Sequence, residues 1–579
     1  MRLLVVLPLF AAFASANLER RAQPGAVQPP PVELRPLTWG DVNFISTTDS
    51  HGWLAGHPRV SDFSADFGDF ASFVKNMRKK AERMRKDLFV IDSGDLHDGN
   101  GLSDSTPLNG QVSDPIFSSM KYDMLTIGNH ELYQNSVAES MHKNYAPKWG
   151  KRYLTSNVYI KDANTNKTTP IGHQYSVFHG RYGTKVLAYG FLFNFKSNGN
   201  MTVVEKVETT IAQPWFQKSL KVKSDVIVVV SHMSLRYGEA VSIVNAIRKV
   251  QPTKPLFLFG GHLHIRDFVR YDGRAAGIAS GRFMETVGWM SASGIRNNNK
   301  NLTITRRYLN ANLHTYKTHA LAHPKQKFDT GRGKDITKKI TKARKALNLT
   351  NILGYSPQDY YLSRYPMTDD RSLLKLVANE VLPAVVDPKK GKPGVVIINS
   401  GSQRFDVLKG PFTTDDTFVV SPFHNTFIYT TVKASLVKGI MEGLNTAPFQ
   451  KRADKLYLEN LRENKKGGDQ KDGKKPGKNY PLTPGYVTKD DMGTDGDDWP
   501  HTPIADVDAP TYIASPLPAG VQPDDEVHIV WLSFFTNLIE PLLKKLDPNT
   551  NFAIADYRTD INSNTMWANF VTQKWAKQA

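Results

Sequence analysis

The sequence predicts an α/β (α+β) protein of two domains, and three observations lead to that prediction. Five short apolar runs before residue 264 each end in side chains that commonly bind metal ions. Stretches with the helical spacing of apolar residues separate these runs, for example 70–85 and 137–142. The pattern fades between residues 315 and 330, and a second series of apolar runs and helical stretches follows.

Each of the five apolar runs has the composition of a strand that is buried on both faces. In chain order they are 44–48 before Asp49 and His51, 88–92 before Asp95, 124–128 before Asn129 and His130, 226–231 before His232, and 256–260 before His262 and His264. Open α/β sheets place their sites just beyond the carboxyl ends of such strands. We therefore expect these side chains to converge.

The residue types at these strand ends indicate a metal centre. Carboxylates and imidazoles suit Zn²⁺, Mn²⁺ and Fe, and one shared carboxylate can hold two ions about 3.5–4 Å apart. A single strand-terminal His is usually a packing or capping residue, whereas five such blocks in order point to ligands. The chain has no cysteine, so thiolate ligands and disulfides are excluded.

The ordered blocks resemble those of the calcineurin-like metallophosphoesterases, namely D-x-H, G-D, G-N-H-E, a lone H and G-H-x-H. The resemblance implies one ion held by Asp49, His51, Asp95 and His264, and a second held by Asp95, Asn129, His232 and His262. It also implies that Asp95 bridges the two ions and that His130, next to Asn129, is catalytic. The implied fold is a two-sheet β-sandwich flanked by helices, which periodicity alone cannot distinguish from a doubly wound sheet.

A second resemblance concerns the later part of the chain. The stretch Asn399-Ser400-Gly401-Ser402-Gln403-Arg404 and the later Pro422-Phe423 resemble the C-terminal substrate domain of the 5′-nucleotidase family. By itself the first stretch is only a turn. The resemblance implies that Asn399, Gly401, Arg404 and Phe423 bind the nucleoside, together with Asp497 from the acidic loop 490–498, and Arg364 is a further candidate.

Two positions depart from the family pattern. Tyr133 stands where many nucleotidases have an Asp that pairs with the catalytic histidine, so the group that orients His130 stays open. Asp491 or Met492 stands where the family has a second aromatic residue for stacking on the base. Strict specificity for one base therefore does not follow from the sequence.

The resemblance implies a secreted two-metal phosphohydrolase that removes phosphate from nucleoside 5′-monophosphates through a metal-bridging hydroxide. The expected cofactors are two divalent ions, with Zn, Mn, Mg and Co as the alternatives. A broader phosphomonoesterase, a cyclic-nucleotide phosphodiesterase and a nucleotide-sugar hydrolase are the alternative activities. The alternative outside the enzymes is an inactive nucleotide-binding protein.

Composition shifts, together with what the two resemblances imply about the role of each domain, predict the boundaries along the chain. They are a signal peptide at 1–16, a Pro-rich segment at 17–37, a catalytic domain at 38–325, a linker with a basic helix at 326–350, and a substrate-recognition domain at 351–579 with a mobile basic loop at 462–480. Within the second domain we expect helices at 372–385 and 436–444 and strands at 394–399 and 417–421.

The net charge of +19 favours anionic partners such as nucleotides. No nucleic-acid site is expected, because no aromatic residues interleave with the lysines of the basic loop. Past the signal peptide no apolar run is long enough to cross a bilayer, so no integral membrane segment is expected. Acceptor sequons at Asn166, Asn200, Asn301 and Asn348 agree with the secretory pathway, with a secreted or vacuolar destination.

Overall fold

The computed structural model describes residues 23–162, 164–297, 300–323, 325–446, 482–483, 502–503, 507 and 509–575. The predicted signal peptide, the basic loop at 462–480 and Asp497 lie outside the described residues. Within the described part of the chain, no helix is both long enough and apolar enough to cross a membrane.

Strands and helices are numbered here along the chain. The strands are β1 (Val42–Thr47), β2 (Asp87–Asp92), β3 (Met124–Thr126), β4 (Tyr153–Leu154), β5 (Val158–Lys161), β6 (Thr168–Pro170), β7 (Tyr175–His179), β8 (Lys185–Leu192), β9 (Thr202–Val204), β10 (Val226–His232), β11 (Leu256–Gly260), β12 (Arg266–Asp272), β13 (Ala275–Ser280), β14 (Thr286–Ser293), β15 (Thr303–Asn310), β16 (Ile352–Ser356), β17 (Gly394–Asn399), β18 (Gly410–Thr413), β19 (Thr426–Lys433), β20 (Leu482–Thr483), β21 (Thr502–Pro503), β22 (Tyr512–Ala514), β23 (Glu526–Leu532) and β24 (Ala555–Asn562). The α-helices are α1 (Phe67–Arg83), α2 (Gly101–Asp104), α3 (Ser113–Phe117), α4 (Asn135–Ser140), α5 (Ala146–Trp149), α6 (Val207–Ala212), α7 (Pro214–Ser219), α8 (Gly238–Val250), α9 (Leu313–Ala320), α10 (Gly331–Ala346), α11 (Leu373–Leu376), α12 (Thr414–Val420), α13 (Leu436–Thr446), α14 (Thr536–Leu546) and α15 (Thr565–Lys574). Two π-helical turns, Met141–Tyr145 and Val377–Val381, continue α4 and α11.

Two six-stranded sheets form the first half of the molecule. Their strand orders are β15-β14-β1-β2-β3-β4 and β12-β13-β11-β10-β8-β7. Side chains from both sheets, including Phe44, Phe89, Val228 and Phe257, make one buried apolar cluster between them. The predicted two-sheet sandwich is therefore confirmed, and a single doubly wound sheet is excluded for this region.

The pairing of the strands explains why the ligand loops meet. β1, β2 and β3 are parallel neighbours in one sheet, and β8, β10 and β11 are parallel neighbours in the other. All seven residues of β10 are buried, and four of them are Val, a residue that packs well on a pleated surface covered on both sides. The carboxyl ends of the ligand strands in each sheet therefore lie on the same side of that sheet.

Helices cover the outer faces of the sandwich. α1 begins with a capping box in which Asp66 and Asp69 each bond the other's backbone N–H. It packs against α9 and α10, and its apolar side contributes Phe70 and Phe73 to the core outside the first sheet. α8 covers the second sheet in the same way, with Ile243 and Ile247 buried.

The second half of the molecule is a separate α/β unit. Its five-stranded sheet has the order β22-β17-β23-β19-β24. A core of its own lies between this sheet and the flanking helices, and it includes Trp531 and Trp567, both fully buried. The predicted strand at 394–399 is β17. The predicted helix at 372–385 corresponds to α11 and the helical turns that follow it, and the predicted helix at 436–444 corresponds to α13.

One secondary-structure prediction is wrong. Residues 417–421 were expected to form a strand, but 417–420 lie in α12, because Thr413 and Asp416 form a capping box that starts a helix before the β-branched residues. The apolar periodicity fades over residues 315–330, yet α9 continues as far as Ala320. Its start is fixed by Asn312, whose side chain accepts a hydrogen bond from the Thr315 backbone N–H.

The two halves contact each other through an apolar cluster and ion pairs. Trp53 and Phe283 of the first half pack with Phe405 and Val419 of the second. At the edge of this cluster, Arg59 Nη2 lies 2.6 Å from Asp416 Oδ1. The carboxylate of Asp415 accepts a hydrogen bond from the Gly101 backbone N–H at 3.0 Å and lies 3.3 Å from Arg344.

Candidate metal centre

The predicted ligands converge at the carboxyl ends of strands from both sheets. Asp49 and His51 follow β1, Asp95 follows β2, Asn129 follows β3, His232 ends β10, and His262 and His264 follow β11. Ligand atoms of Asp49, His51, Asp95 and His264 all lie within 4.8 Å of one another, and so do those of Asp95, His232 and His262. Asp95 belongs to both groups.

The distances around Asp95 are those of side chains that share bound cations. Asp95 Oδ2 lies 2.9 Å from His232 Nε2 and 3.8 Å from His51 Nε2. On the other side, His264 Nε2 lies 3.4 Å from Asp49 Oδ1. The carboxylates and the ring of His232 are buried, so their polar atoms are screened from solvent.

A buried acceptor without a partner shows that the donor set fits a metal ion. Asn129 Oδ1 is buried and has no hydrogen-bond partner, and Asp95 Oδ2 has the ring of His232 beside it at 2.9 Å. Leaving such an acceptor unpaired costs about 1–3 kcal/mol, so a partner is expected there. The Asn129 amide is held by its nitrogen, which donates to Tyr133 Oη at 3.2 Å and leaves the oxygen free as a ligand.

The protonation of the cluster is also consistent with a cation. Burial lowers the pKa of His262 to about 4, with the charge of His232 adding to the effect, and burial also holds the pKa of His51 and His264 well below their usual range. Neutral imidazole is the form that binds metals. His232 differs, because Asp95 and Asp49 outweigh the effect of burial and raise its pKa to about 10. Those carboxylates therefore attract a positive charge at this point.

The backbone of the ligand loops is held in an uncommon conformation. Five predicted ligands have φ between 44° and 75°, namely Asp49, His51, Asp95, His262 and His264. For residues other than Gly this left-handed region costs about 1–3 kcal/mol each, and it persists only where the surroundings enforce it. Such conformations cluster at functional sites, which agrees with the prediction that these residues are ligands.

A second layer of hydrogen bonds fixes the ligands. His232 Nδ1 donates to the backbone oxygen of Ser93 at 2.8 Å, and His51 Nδ1 donates to the backbone oxygen of His97, so both Nε2 atoms face the centre. The carboxylate of Glu131, the last residue of G-N-H-E, accepts from the backbone N–H groups of Asp95 at 3.1 Å and Gly128 at 2.8 Å. Glu131 thereby ties two ligand loops together.

The predicted catalytic histidine is oriented by Asp98. His130 Nδ1 lies 2.7 Å from Asp98 Oδ2, and His130 Nε2 lies 3.9 Å from Asp95 Oδ2. Asp98 is itself held by the Asn109 amide at 2.6 Å and by its backbone N–H, which donates to Asp104 at 3.0 Å. The sequence left this group open, and its signal was the second Asp of the G-D-L-H-D stretch.

Arg404 of the second half lies beside the metal cluster. Its guanidinium acts electrostatically on Asp95 and Asp98, and its charge contributes to the low pKa of His51 and His264. Arg404 Nε and Nη2 are buried and have no hydrogen-bond partner. The structure therefore brings a predicted nucleoside-binding residue to the metal ligands.

The other residues predicted to bind the nucleoside lie near Arg404 in the second half. The ring of Phe423 is partly buried, and its centre lies 5.9 Å from the guanidinium carbon of Arg404. Asn399 Oδ1 is buried without a partner, and a Cβ added at the exposed Gly401 would lie 3.3 Å from Asn399 Nδ2. Asp497 cannot be placed, because it lies outside the described residues.

Two further arginines border the same region. Arg282, which no sequence pattern singled out, lies 4.8 Å from the ring centre of Phe283, and its charge helps to lower the pKa of His264. Arg364 stacks over Tyr361 at 4.1 Å and lies 3.9 Å from Asp406. Arg364 is thus placed with residues of the second half.

Comparison with known proteins identifies both halves. The calcineurin-like phosphoesterase family matches residues 42–266, and the C-terminal domain of NAD nucleotidase matches residues 359–539. A protein of Arthroderma benhamiae named "Secreted protein" is 35% identical, over 96% of this chain and 94% of that protein. The chain spans nearly the whole length of this relative.

Solved structures share the same architecture. The crystal structure of 5′-nucleotidase from Candida albicans is 36% identical, with a TM-score of 0.82 over 93% of this chain and 99% of that chain. The 5′-nucleotidase precursor of Thermus thermophilus is 13% identical and has the same fold, with a TM-score of 0.58 over 92% of this chain and 96% of that chain. The chain therefore belongs to the calcineurin-like phosphoesterases of the 5′-nucleotidase type, and it is a metal-dependent hydrolase of phosphoric esters.

Proposed function

We propose that this protein is a secreted hydrolase that removes phosphate from nucleoside 5′-monophosphates with the help of two divalent ions. The observation that carries the proposal is the position of Asp95. It belongs to both groups of metal-binding side chains, and the charge of Arg404, from the other half of the molecule, acts on it. Metal chemistry and a guanidinium suited to anions therefore meet at one point.

The two ions divide the ligands between them in this proposal. Asp49, His51 and His264 bind one ion with Asp95, and Asn129, His232 and His262 bind the other with Asp95. Ions bound there would lower the pKa of a water molecule and neutralise charge on the phosphate. Zn, Mn, Mg and Co remain alternatives, because this mixed donor set of oxygen and nitrogen atoms accepts several of them.

His130 acts on the leaving group. Its Nδ1–H is fixed by Asp98, so Nε2 points toward the phosphate position beside Asp95. The P–O bond to the ribose breaks as water adds to phosphorus, and His130 donates a proton to the departing ribose oxygen or a hydrogen bond that stabilises its charge. The products are a nucleoside and inorganic phosphate.

The second half recognises the nucleoside. Arg404 contacts the phosphate or ribose oxygens, Phe423 stacks on the base, and Asn399 and Gly401 provide an amide and a close backbone approach. The unpaired polar atoms of Arg404 and Asn399 support this role, because buried polar groups normally have partners. Asp497 is the remaining residue of this proposed set.

Secretion is part of the proposal. The asparagines of all four sequons, Asn166, Asn200, Asn301 and Asn348, are exposed in the structure and so are accessible to modification. The relative from Arthroderma benhamiae is named as a secreted protein. A vacuolar destination is the alternative, since it uses the same pathway. Mass spectrometry of the native protein would detect cleavage after residue 16 and glycans at these four positions.

A substrate panel tests the activity. The purified protein, loaded in turn with Zn²⁺, Mn²⁺, Mg²⁺ and Co²⁺, is given AMP, cyclic AMP, a nucleotide sugar and p-nitrophenyl phosphate, and phosphate release is measured. We expect the highest kcat/KM with the nucleoside 5′-monophosphate. Higher kcat/KM with another ester would assign the corresponding alternative, and retention of AMP without phosphate release would identify an inactive nucleotide-binding protein.

A further inference from the structure

Tyr133 occupies a position that the metal ligands and the His130–Asp98 pair leave unexplained. It follows G-N-H-E, where the family pattern has an Asp, and Asp98 already orients His130. Tyr133 is 43% exposed. Its ring packs edge-on against His130 at 5.1 Å and against Phe195 at 5.3 Å. The partly exposed phenol therefore lies beside the predicted catalytic histidine.

The hydroxyl of Tyr133 has a proton that it can donate. Its oxygen accepts a hydrogen bond from Asn129 Nδ2 at 3.2 Å. A tyrosine phenol has an ordinary pKa of about 10, so the hydroxyl stays protonated at neutral pH. Among the residues that the structure describes, none accepts this proton in a hydrogen bond.

Arg404, in the other half of the molecule, is a second group with unpaired hydrogen-bond donors. Arg404 interacts electrostatically with Tyr133 and Asp95, and its Nε and Nη2 have no partner. The charge of Arg404 therefore acts on both Tyr133 and Asp95. A ligand that pairs with both donors must offer several acceptor oxygens and a negative charge, and a phosphoryl group has these properties.

We propose that the Tyr133 hydroxyl contacts the substrate and donates a hydrogen bond to a non-bridging oxygen of the phosphoryl group. This inference rests on the proposed function, because it uses the same site. A neutral phenol suits the position better than a carboxylate, since a carboxylate would repel the phosphate dianion. The same contact is available to inorganic phosphate, so Tyr133 also strengthens binding of the product.

The replacement Tyr133→Phe removes the hydroxyl and keeps the ring packed on His130 and Phe195. The matched control is Tyr175→Phe, at a tyrosine of β7 that is 37% exposed and stacks on Trp215. Both variants and the wild-type protein are loaded with Mn²⁺. Metal content per chain, calorimetric binding of inorganic phosphate, and inhibition of AMP hydrolysis by inorganic phosphate are then measured.

We expect Tyr133→Phe to weaken binding of inorganic phosphate about tenfold or more, because a hydrogen bond to a charged group is lost. Metal content should stay at the wild-type level, and Tyr175→Phe should match the wild type in all three measurements. If phosphate binding did not change, or if it fell only together with metal content and recovered in excess Mn²⁺, Tyr133 would merely orient Asn129 and the proposal would be overturned.

The calorimetric measurement separates this inference from the proposed function. A wild-type protein that binds phosphate but hydrolyses no nucleotide would contradict the proposed function, while the comparison with Tyr133→Phe would still decide the role of the hydroxyl. A metal-loaded wild-type protein that bound no inorganic phosphate would overturn the inference itself.

Discussion

The metal centre and the predicted nucleoside-binding edge are built in opposite ways. Asp95 and His232 are buried; the backbone N–H of Asp95 donates to the carboxylate of Glu131, and His232 Nδ1 donates to the backbone oxygen of Ser93. Arg404, Phe423 and Asn399 are only partly buried, and Arg404 Nε and Nη2 have no hydrogen-bond partner. The difference indicates that the side chains of the metal centre are oriented before substrate arrives, whereas the guanidinium of Arg404 completes its contacts only with a ligand.

The apolar contact between the two halves joins the two regions. The cluster of Trp53, Phe283, Phe405 and Val419 places Arg404, the neighbour of Phe405, beside the metal ligands. A change in the first region should therefore abolish reaction with every ester. A change in the second should affect nucleotides more than small esters. The variants below test this contrast, beginning with the largest expected effect.

Asp95→Asn should have the largest effect. The change removes the negative charge that both groups of ligands share, so it weakens both metal sites together. We expect kcat/KM to fall by more than about 100-fold for AMP and for p-nitrophenyl phosphate alike. The control is Asp162→Asn, at an exposed residue that belongs to neither group of metal-binding side chains. Near-normal activity of Asp95→Asn in buffer with excess metal would show that Asp95 is not the bridge.

Asp98→Asn should come next. The neutral amide lacks the negative charge that holds the Nδ1–H of His130, so the orientation of the ring is no longer fixed. Loss of a positioned acid or base costs about 100-fold in rate, and the expected loss is in kcat with little change in KM or metal content. Asn109→Ala, which removes only the support of Asp98, should have a smaller effect. Equal kcat for Asp98→Asn and the wild type would contradict the assigned role.

The third test divides the metal ligands. His232→Ala and Asn129→Ala should deplete mainly one ion, and His51→Ala should deplete mainly the other, because only Asp95 belongs to both groups. The measurement is metal content per chain after dialysis against a fixed concentration of free metal ion. Equal loss of both ions from every variant would contradict the division, although it would leave the presence of two ions intact.

The comparison also explains what the sequence could predict. Each predicted ligand directly follows or ends an apolar strand, so the local pattern was enough to find it and parallel pairing brought the set together. The pairing of Asp98 with His130 joins residues far apart in the chain through a loop, and no periodicity encodes it. The contribution of Arg282 was missed for the same reason. The strand predicted at 417–421 was wrong because a capping box at Thr413 outweighed β propensity.

The central claim is that the second half recognises the nucleoside while the first performs the chemistry. It is tested most directly by comparing kcat/KM for AMP with that for p-nitrophenyl phosphate in the wild type and in Phe423→Ala. Loss of base stacking should cost about 1–3 kcal/mol of transition-state binding for AMP, mainly through KM, with hydrolysis of p-nitrophenyl phosphate nearly unchanged. An equal decrease for both substrates would make Phe423 a packing residue and contradict this division of roles.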